Sequence, residues 1–374
     1  MEGWMSGNMH PSYRILMGPG PSNVHDRVYQ AMSNPIIGYL DPQILACMDE
    51  ISEMLRGVFQ TRNPVTLAIS ATGSSGMEAS YVNFVEPGDV VVIGVNGFFA
   101  DRMTQVASRC GATVVRVEGE WGKIIEPEVI IKALKKHPEA KICGVIHGET
   151  STGVRQPLEE IGSYCRKSGT LLVVDAVTTL GGYDVKVDEW GIDVCYGSSQ
   201  KCLSVPPGLS PITVSPKAME VLHSRKTKVQ SFYLDLTLLE KYWGEERVYH
   251  HTAPVSLFYA MREGLRILFE EGLDTRFRRH EVLGDRLKME LEGFGFKCFA
   301  QEGYRLPMLT SVTLPDGVDD GKTRSRLLNE YNIEVGAGLG WLKGKIWRVG
   351  LMGETCKVRY IHCLTGALKE ILPQ

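Results

Sequence analysis

The sequence lacks long apolar runs and blocks of like charge. No stretch approaches the roughly 18 consecutive apolar residues of a membrane-spanning helix, and the first fourteen residues lack the apolar centre of a signal peptide. The 41 Lys and Arg residues nearly balance the 44 Asp and Glu residues, which leaves a formal net charge of -3. We therefore expect no membrane association and no basic surface for nucleic acid.

The sequence also lacks paired cysteines. Its nine cysteines are scattered singly, without a C-x-x-C pair: Cys47, Cys110, Cys143, Cys165, Cys195, Cys202, Cys298, Cys356 and Cys363. This pattern indicates neither a zinc site nor a disulfide framework, so we expect no metal and a reducing compartment. The final residues I-L-P-Q are not a peroxisomal address, and a cytoplasmic location fits best.

What is present is a regular alternation of short apolar runs with helical stretches. The chain of 374 residues is long enough for a large domain and a smaller one. The apolar runs lie at 65–70, 90–95, 113–117, 142–146, 171–176, 193–196 and 211–215. We predict an α/β fold with a mostly parallel seven-stranded sheet clothed by helices. Chemically active residues should lie at the carboxyl ends of these strands.

The pattern changes near residue 255. Two amphipathic helical segments, 256–272 and 275–293, are followed by short strands and helices up to the C-terminus. We predict a large domain over 26–270 and a smaller α+β domain over 271–374. The N-terminal segment, 1–25, is expected to pack with the smaller domain.

Two charged residues follow apolar strands of the predicted sheet. Asp175 ends the run L-L-V-V-D, and Lys201 ends the polar turn G-S-S-Q-K about one βα unit later. Pyridoxal phosphate (PLP) chemistry needs such a pair, because a carboxylate keeps the pyridine nitrogen protonated while a lysine forms the Schiff base and moves the proton. Most lysines are solvated, and Asp175 could instead cap a helix, but that leaves Lys201 unexplained. The pair therefore predicts a PLP enzyme.

Three further positions suit the same cofactor or its substrate. The turn A-T-G-S-S-G-M-E, with Thr72, Gly73 and Ser74, can offer N–H groups at a helix N-terminus to a phosphate, or it is only a capped helix start. Phe99 follows the next strand and can stack on the pyridine ring, or it belongs to the core. Arg348, within an apolar run, can bind a substrate carboxylate, or it forms an internal salt bridge.

With these residues assembled, the whole chain resembles the class V, fold type I PLP aminotransferases, and within them the alanine-glyoxylate and serine-pyruvate aminotransferase group. The motifs that carry the resemblance are M-G-P-G-P-S-N (17–23), G-Y-L-D-P (38–42), the turn at 71–78, H-G-E-T-S-T-G-V (147–154), V-D-A-V-T-T-L-G-G (174–182), G-S-S-Q-K (197–201), Y-H-H-T-A-P (249–254) and K-I-W-R-V-G-L-M-G (345–353). The resemblance implies a ping-pong aminotransferase with PLP bound covalently to a lysine.

The resemblance assigns cofactor-binding roles to matching positions. Lys201 would be the Schiff-base lysine and Asp175 the partner of the pyridine nitrogen. The ring would lie between Phe99, where relatives often have tryptophan, and Val177. The polar residues expected around the phosphate and the phenolic oxygen are Thr72, Gly73, Ser74, Gln200 and Thr150.

The resemblance also implies a homodimer with a shared active site. Tyr249 and Thr252 would reach the phosphate bound by the neighbouring subunit. Arg348 would bind the substrate carboxylate, and Tyr39 and Thr150 would also contact the substrate.

The expected substrates are small. Tyr39 and Trp341 are bulkier than the family pattern, which favours alanine or serine as donor and glyoxylate or pyruvate as acceptor. The alternatives are a ureidoglycine-glyoxylate or a 2-aminoethylphosphonate-pyruvate aminotransferase, although the Arg348 site argues against a phosphonate donor. A cysteine desulfurase is remote, because no cysteine lies between Cys298 and Cys356. A PLP-sensing regulator is equally remote, because the chain shows no basic helix-turn-helix extension.

Overall fold

A seven-stranded sheet forms the centre of the larger part of the chain in the computed structural model, which describes residues 11–372. Its strands, in order across the sheet, are β2 (Val65–Ile69), β10 (Ser210–Val214), β9 (Val194–Tyr196), β8 (Leu171–Asp175), β5 (Ile142–Ile146), β3 (Val90–Val95) and β4 (Thr113–Glu118). β10 pairs antiparallel with β2 and β9, and the remaining neighbours are parallel. The predicted α/β fold with a mostly parallel sheet is confirmed.

The central strands form because their apolar, mostly β-branched residues are covered on both faces. Every residue of β2, β5, β8, β9 and β10 is buried. This is the environment of a parallel sheet clothed by helices, and it explains why these strands are near-continuous apolar runs and do not alternate with polar residues. A short antiparallel ribbon, β6 (Gly148–Glu149) with β7 (Val154–Arg155), follows β5.

Ten helices of the described chain accompany this sheet. They are α1 (Asp26–Met32), α2 (Pro42–Phe59), α3 (Gly73–Val82), α4 (Phe98–Arg109), α5 (Pro127–Lys136), α6 (Glu159–Ser168), α7 (Val187–Trp190), α8 (Pro216–His223), α9 (Leu236–Trp243) and α10 (Val255–Glu271). α2 shows how the sequence sets such a helix: Asp41 accepts a capping hydrogen bond from the Gln43 N–H, and Pro42 occupies the first turn. No helix between residues 11 and 372 combines the length and apolarity that crossing a membrane requires.

A second, smaller sheet lies in the C-terminal part. Its strands, in order, are β11 (Lys297–Cys298), β12 (Leu309–Thr313), β15 (Ile346–Gly350) and β14 (Gly336–Ala337), and its helices are α11 (Leu273–Glu292), α12 (Asp320–Tyr331) and α13 (Val358–Ile371). The N-terminal strand β1 (Ile15–Leu16) pairs with β13 (Ile333–Glu334), and Met17 lies in the same apolar core as Trp347. The domain boundaries stay a prediction, and residues 1–10 and 373–374 of the two terminal segments lie outside the described residues.

Candidate active site

A cavity of about 200 Å³ lies where the central strands end. Nine of the predicted site residues line it: Thr72, Gly73, Ser74, Phe99, Thr150, Asp175, Val177, Gln200 and Lys201. They come from the segments that follow β2, β3, β5, β8 and β9. Because carboxyl ends of parallel strands meet at one edge of a sheet, segments far apart in sequence converge there.

Asp175, the last residue of β8, is a buried carboxyl group held at both oxygens. Its Oδ1 accepts a hydrogen bond of 2.8 Å from the Val177 N–H, and its Oδ2 accepts one of 2.9 Å from the Tyr196 hydroxyl. Burial raises the pKa of Asp175 to about 7, although both hydrogen bonds act in the opposite direction. The helix-cap alternative is not found, because the residues that directly follow Asp175 form a turn and the next helix begins only at Val187.

Lys201 lies on the turn between β9 and β10, and its amine faces the same cavity. Its Nζ donates a hydrogen bond to the carbonyl of Pro19 in the N-terminal segment. Burial, and then the nearby charge of Arg348, lower the pKa of Lys201 to about 8. A substantial fraction of the amine is therefore neutral near physiological pH, as a nucleophilic or proton-accepting lysine requires.

The backbone of the turn that carries Lys201 is fastened by both terminal parts of the chain. Ser22 donates to the Lys201 carbonyl at 2.8 Å. Arg276 of α11, which is buried, donates to the Cys202 carbonyl at 2.5 Å and to the Gly181 carbonyl at 2.8 Å. The position of the lysine thus depends on residues outside the large sheet.

The start of α3 forms a close-packed turn on another wall of the cavity. Thr72, at the N-cap, makes no capping hydrogen bond with its side chain, so its hydroxyl can bind a ligand. A Cβ added at Gly73 would lie 2.9 Å from the Ser198 Cβ and 3.3 Å from a methyl carbon of Val177, so only glycine fits. Ser198 donates to the side-chain oxygen of Gln200, which leaves the Gln200 amide N–H groups as donors.

Phe99 lies at the start of α4, partly buried, with its ring on the cavity. A buried carboxylate fixes this helix start: Glu149 accepts hydrogen bonds from the N–H groups of Phe99 at 3.1 Å and Ala100 at 3.0 Å. A Cβ at Gly97 would lie 2.3 Å from the Glu149 Cγ, so glycine is required there as well. The ring is therefore held by its backbone, as a stacking surface needs.

Arg348 is a buried cation on β15 beside the cavity. Its Nε donates to the Ala337 carbonyl at 2.7 Å, and one Nη donates to the Thr150 carbonyl at 3.4 Å. Among residues 11–372, no carboxylate oxygen forms an ion pair with this guanidinium, so the predicted alternative of an internal salt bridge is not found in the described chain. Burial lowers the pKa of Arg348 to about 10, which reflects a charge without a close counter-ion.

Besides Arg348, four predicted positions do not line this cavity. The rings of Tyr39 and Tyr249 contact each other with centroids 4.7 Å apart, and Tyr249 is 52% exposed. Thr252 is exposed. Trp341 is also exposed and lies 5.7 Å from the ring of Trp121, measured between centroids. Their roles in binding stay predictions.

Several cavity residues were not expected from the sequence. Arg102 lines the cavity one helical turn after Phe99, with its Cζ 5.2 Å from the ring centroids of both Phe98 and Phe99. Its spacing of three from Phe99 on a helix could have revealed it. Met77 and Ser198 lie inside motifs already noted. Tyr196 does not line the cavity but contacts Asp175, and it is found only through the pairing of β9 with β8.

These groups match the parts of PLP. The buried Asp175 suits a protonated pyridine nitrogen, and the Lys201 amine suits the aldehyde. The start of α3, with Thr72, Gly73 and Ser74, offers donors to the phosphate. The residues present therefore fit the cofactor.

Comparison with known proteins gives a consistent family. The family model described as aminotransferase class-V matches residues 23–346. The chain is 41% identical to (S)-ureidoglycine–glyoxylate transaminase of Bacillus subtilis, with 96% of this chain and 90% of that protein covered. It is 40% identical to alanine–glyoxylate aminotransferase of Drosophila melanogaster, with 96% and 92% covered. The crystal structure of alanine–glyoxylate aminotransferase from Nostoc sp. superposes with a TM-score of 0.97 at 49% identity and covers 100% of this chain and 98% of that one.

The lowered pKa of Lys201 predicts the pH dependence of cofactor loading. Above a pH of about 8 the neutral amine dominates, whereas an ordinary lysine is still protonated. The rate of PLP addition to the apo-protein, followed by stopped-flow absorbance, should therefore rise through a midpoint near pH 8. Lys201→Ala gives the baseline, and a rate that follows an ordinary lysine pKa would contradict the lowered value.

Proposed function

The chain belongs to the class V aminotransferases, which are PLP-dependent enzymes, and we propose that it transfers an amino group from alanine or serine to glyoxylate or pyruvate. The observation that carries the proposal is that Asp175 and Lys201 line one cavity, beside the cation of Arg348, which has no ion-pair partner among residues 11–372. Glyoxylate is the favoured acceptor, because the names of both curated relatives described above include it.

The proposed roles follow from charge and position. When bound, PLP supplies an electron-withdrawing ring that stabilises negative charge at the substrate α-carbon. Asp175 holds the proton on the pyridine nitrogen, and Lys201, once its amine is free and neutral, takes the α-proton at Nζ and later returns it. Thr72, Gly73, Ser74 and Gln200 bind the phosphate.

Arg348 orients the substrate by its carboxylate. Its buried guanidinium can form two parallel N–H···O bonds, which fix both the distance and the direction of the α-carbon. The same contact serves donor and acceptor, because amino acid and keto acid share the carboxylate. A 2-aminoethylphosphonate donor lacks this group, and the site therefore disfavours it.

A second candidate donor is ureidoglycine. The relative that is 41% identical carries it in its name. Arg102 supports this candidate, because its guanidinium lines the cavity and forms no ion pair among the described residues, so it can donate to a ureido carbonyl oxygen. Alanine has no hydrogen-bond acceptor other than the carboxylate assigned to Arg348.

Stopped-flow spectroscopy of the two half-reactions tests the proposal. Addition of alanine or serine to the PLP-loaded protein should remove the visible band of the lysine-bound cofactor, and glyoxylate should restore it. Ureidoglycine and 2-aminoethylphosphonate are tested in parallel. Loss of the band with ureidoglycine alone would favour the second candidate. A band that none of the four donors removes would contradict the proposed aminotransferase activity.

Removal of the guanidinium should weaken both substrates. Arg348→Met is expected to raise the KM of donor and acceptor alike by about 10- to 100-fold, the range expected for a lost hydrogen bond to a charged group. Arg348→Lys, which keeps the charge without the fork, should give a smaller rise. Unchanged KM values in Arg348→Met, measured by steady-state kinetics, would contradict the carboxylate role.

We also propose a homodimer whose subunits share the phosphate site. Tyr249 and Thr252 are exposed in the single chain. His250, which lies between them in sequence, contacts two further exposed rings, Phe232 and Tyr233, with centroids 5.2 and 5.9 Å away. Burial of such rings by a second subunit would remove an apolar surface of the kind that marks an interface. The unpaired cysteines support a reducing, cytoplasmic compartment for this dimer.

Subunit complementation tests the shared site. Lys201→Ala chains lack the lysine, and Tyr249→Phe/Thr252→Val chains should retain PLP poorly. Co-expression with two affinity tags isolates hybrid dimers, in which one site combines the intact residues of both chains. Hybrids should regain activity at limiting PLP, and hybrids as inactive as the two parents would contradict sharing.

A further inference from the structure

Tyr196 and Asp175 are partners across two neighbouring strands. They face each other in the parallel register of β8 and β9, and the backbone N–H that follows Asp175 donates to the Tyr196 carbonyl at 2.9 Å. Register partners on adjacent strands project their side chains from the same face of a sheet. The phenol therefore reaches the carboxylate with little freedom in either backbone.

The contact between them is a buried hydrogen bond. The Tyr196 hydroxyl donates to Asp175 Oδ2 at 2.9 Å, and Tyr196 has no solvent exposure. Its ring lies against a glycine of α3: a Cβ at Gly76 would lie 3.1 Å from the Tyr196 Cδ2. Burial, and then the nearby Asp175 charge, raise the pKa of the phenol well above its ordinary value, so the hydroxyl keeps its proton and remains a donor.

We propose that Tyr196 is a positioning residue that keeps Asp175 ionised and oriented toward the pyridine nitrogen. This inference deepens the proposed function and rests on the role proposed there for Asp175. The Val177 N–H fixes one carboxylate oxygen and the phenol fixes the other, so the carboxylate plane is set before any cofactor binds. A hydrogen bond to a carboxylate favours its charged form, which burial otherwise disfavours.

Among residues 11–372, no other side chain donates a hydrogen bond to Asp175; the second donor is the backbone N–H of Val177. Glu149 and Lys201 are the charged groups that shift the pKa of Asp175, and the Asp175 charge in turn raises the pKa of Cys195, Tyr81 and Tyr196. Glu149 raises the pKa of Asp175, and Lys201 lowers it with the smallest influence of the causes identified. Removal of the hydrogen bond from Tyr196 therefore tests how far a side chain keeps Asp175 ionised.

Tyr81 provides a matched control. It is another tyrosine without solvent exposure, and its hydroxyl has no hydrogen-bond partner among residues 11–372. Tyr196→Phe and Tyr81→Phe each delete one buried oxygen from the same part of the core. Only the first removes a donor from Asp175.

Infrared titration of the apo-protein tests the inference without the cofactor. The carboxyl stretch of Asp175, identified by its loss in Asp175→Asn, should titrate about one pH unit or more higher in Tyr196→Phe than in wild type. Tyr81→Phe should leave the midpoint unchanged. An unchanged midpoint in folded Tyr196→Phe would overturn the inference, whatever the protein does with PLP.

Kinetics of the PLP-loaded protein give the second readout. Tyr196→Phe should lower kcat by about 10-fold or more, with little change in the KM of the donor, because Arg348 is untouched. Equal losses in Tyr196→Phe and Tyr81→Phe would indicate a packing effect and overturn the positioning role. If Tyr196→Phe does not fold, 3,5-difluorotyrosine at position 196, a stronger donor, should move the infrared midpoint downward, and no movement would overturn the inference. A shifted midpoint in a protein that binds no PLP supports the Tyr196 contact and contradicts the proposed function.

Discussion

The burial of the Asp175 carboxylate is the constraint on which the rest of the site depends. Away from water, a carboxylate stays ionised only with donors at its oxygens or a cation beside it. The chain supplies two donors, the Val177 N–H and the Tyr196 hydroxyl, yet burial still raises the pKa of Asp175 to about 7. Under the proposed function, a protonated pyridine nitrogen provides the missing positive charge. The strands that bury Asp175 therefore create an affinity for a cationic ring.

Lys201 and Arg348 are cationic side chains of the site, and neither forms an ion pair among the described residues. Lys201 is buried near Arg348, which lowers its pKa, and Arg348 has no carboxylate counter-ion within the described chain. A bound carboxylate at Arg348 would offset that charge. The site also depends on the rest of the chain, because Ser22 and Arg276 hold the turn that carries the lysine. Movement of the N-terminal segment or of α11 would therefore change the position of the Lys201 amine.

Most of the fold and much of the cavity could be predicted from the sequence. Apolar runs identify the strands, and residues that follow consecutive parallel strands must meet at one edge, which is why Thr72, Phe99 and Asp175 were found together with Lys201. Contacts set by strand register and by loop conformation could not be predicted. To predict the hydrogen bond from Tyr196, one must know that β9 lies beside β8 and in which register. To predict the hydrogen bonds from the start of α4 to Glu149, one must know the conformation of the turn after β5. Tyr249 and Thr252 stay predictions because they concern a second subunit.

The most direct test of the account is chemical trapping of the cofactor. Reduction of the PLP-loaded protein with borohydride, followed by proteolysis and mass spectrometry, identifies the residue that carries the pyridoxyl group. The account predicts the group on Lys201 in the peptide that contains G-S-S-Q-K, with none on any other lysine. A pyridoxyl group on a different lysine, or on none, would contradict the roles assigned around this cavity.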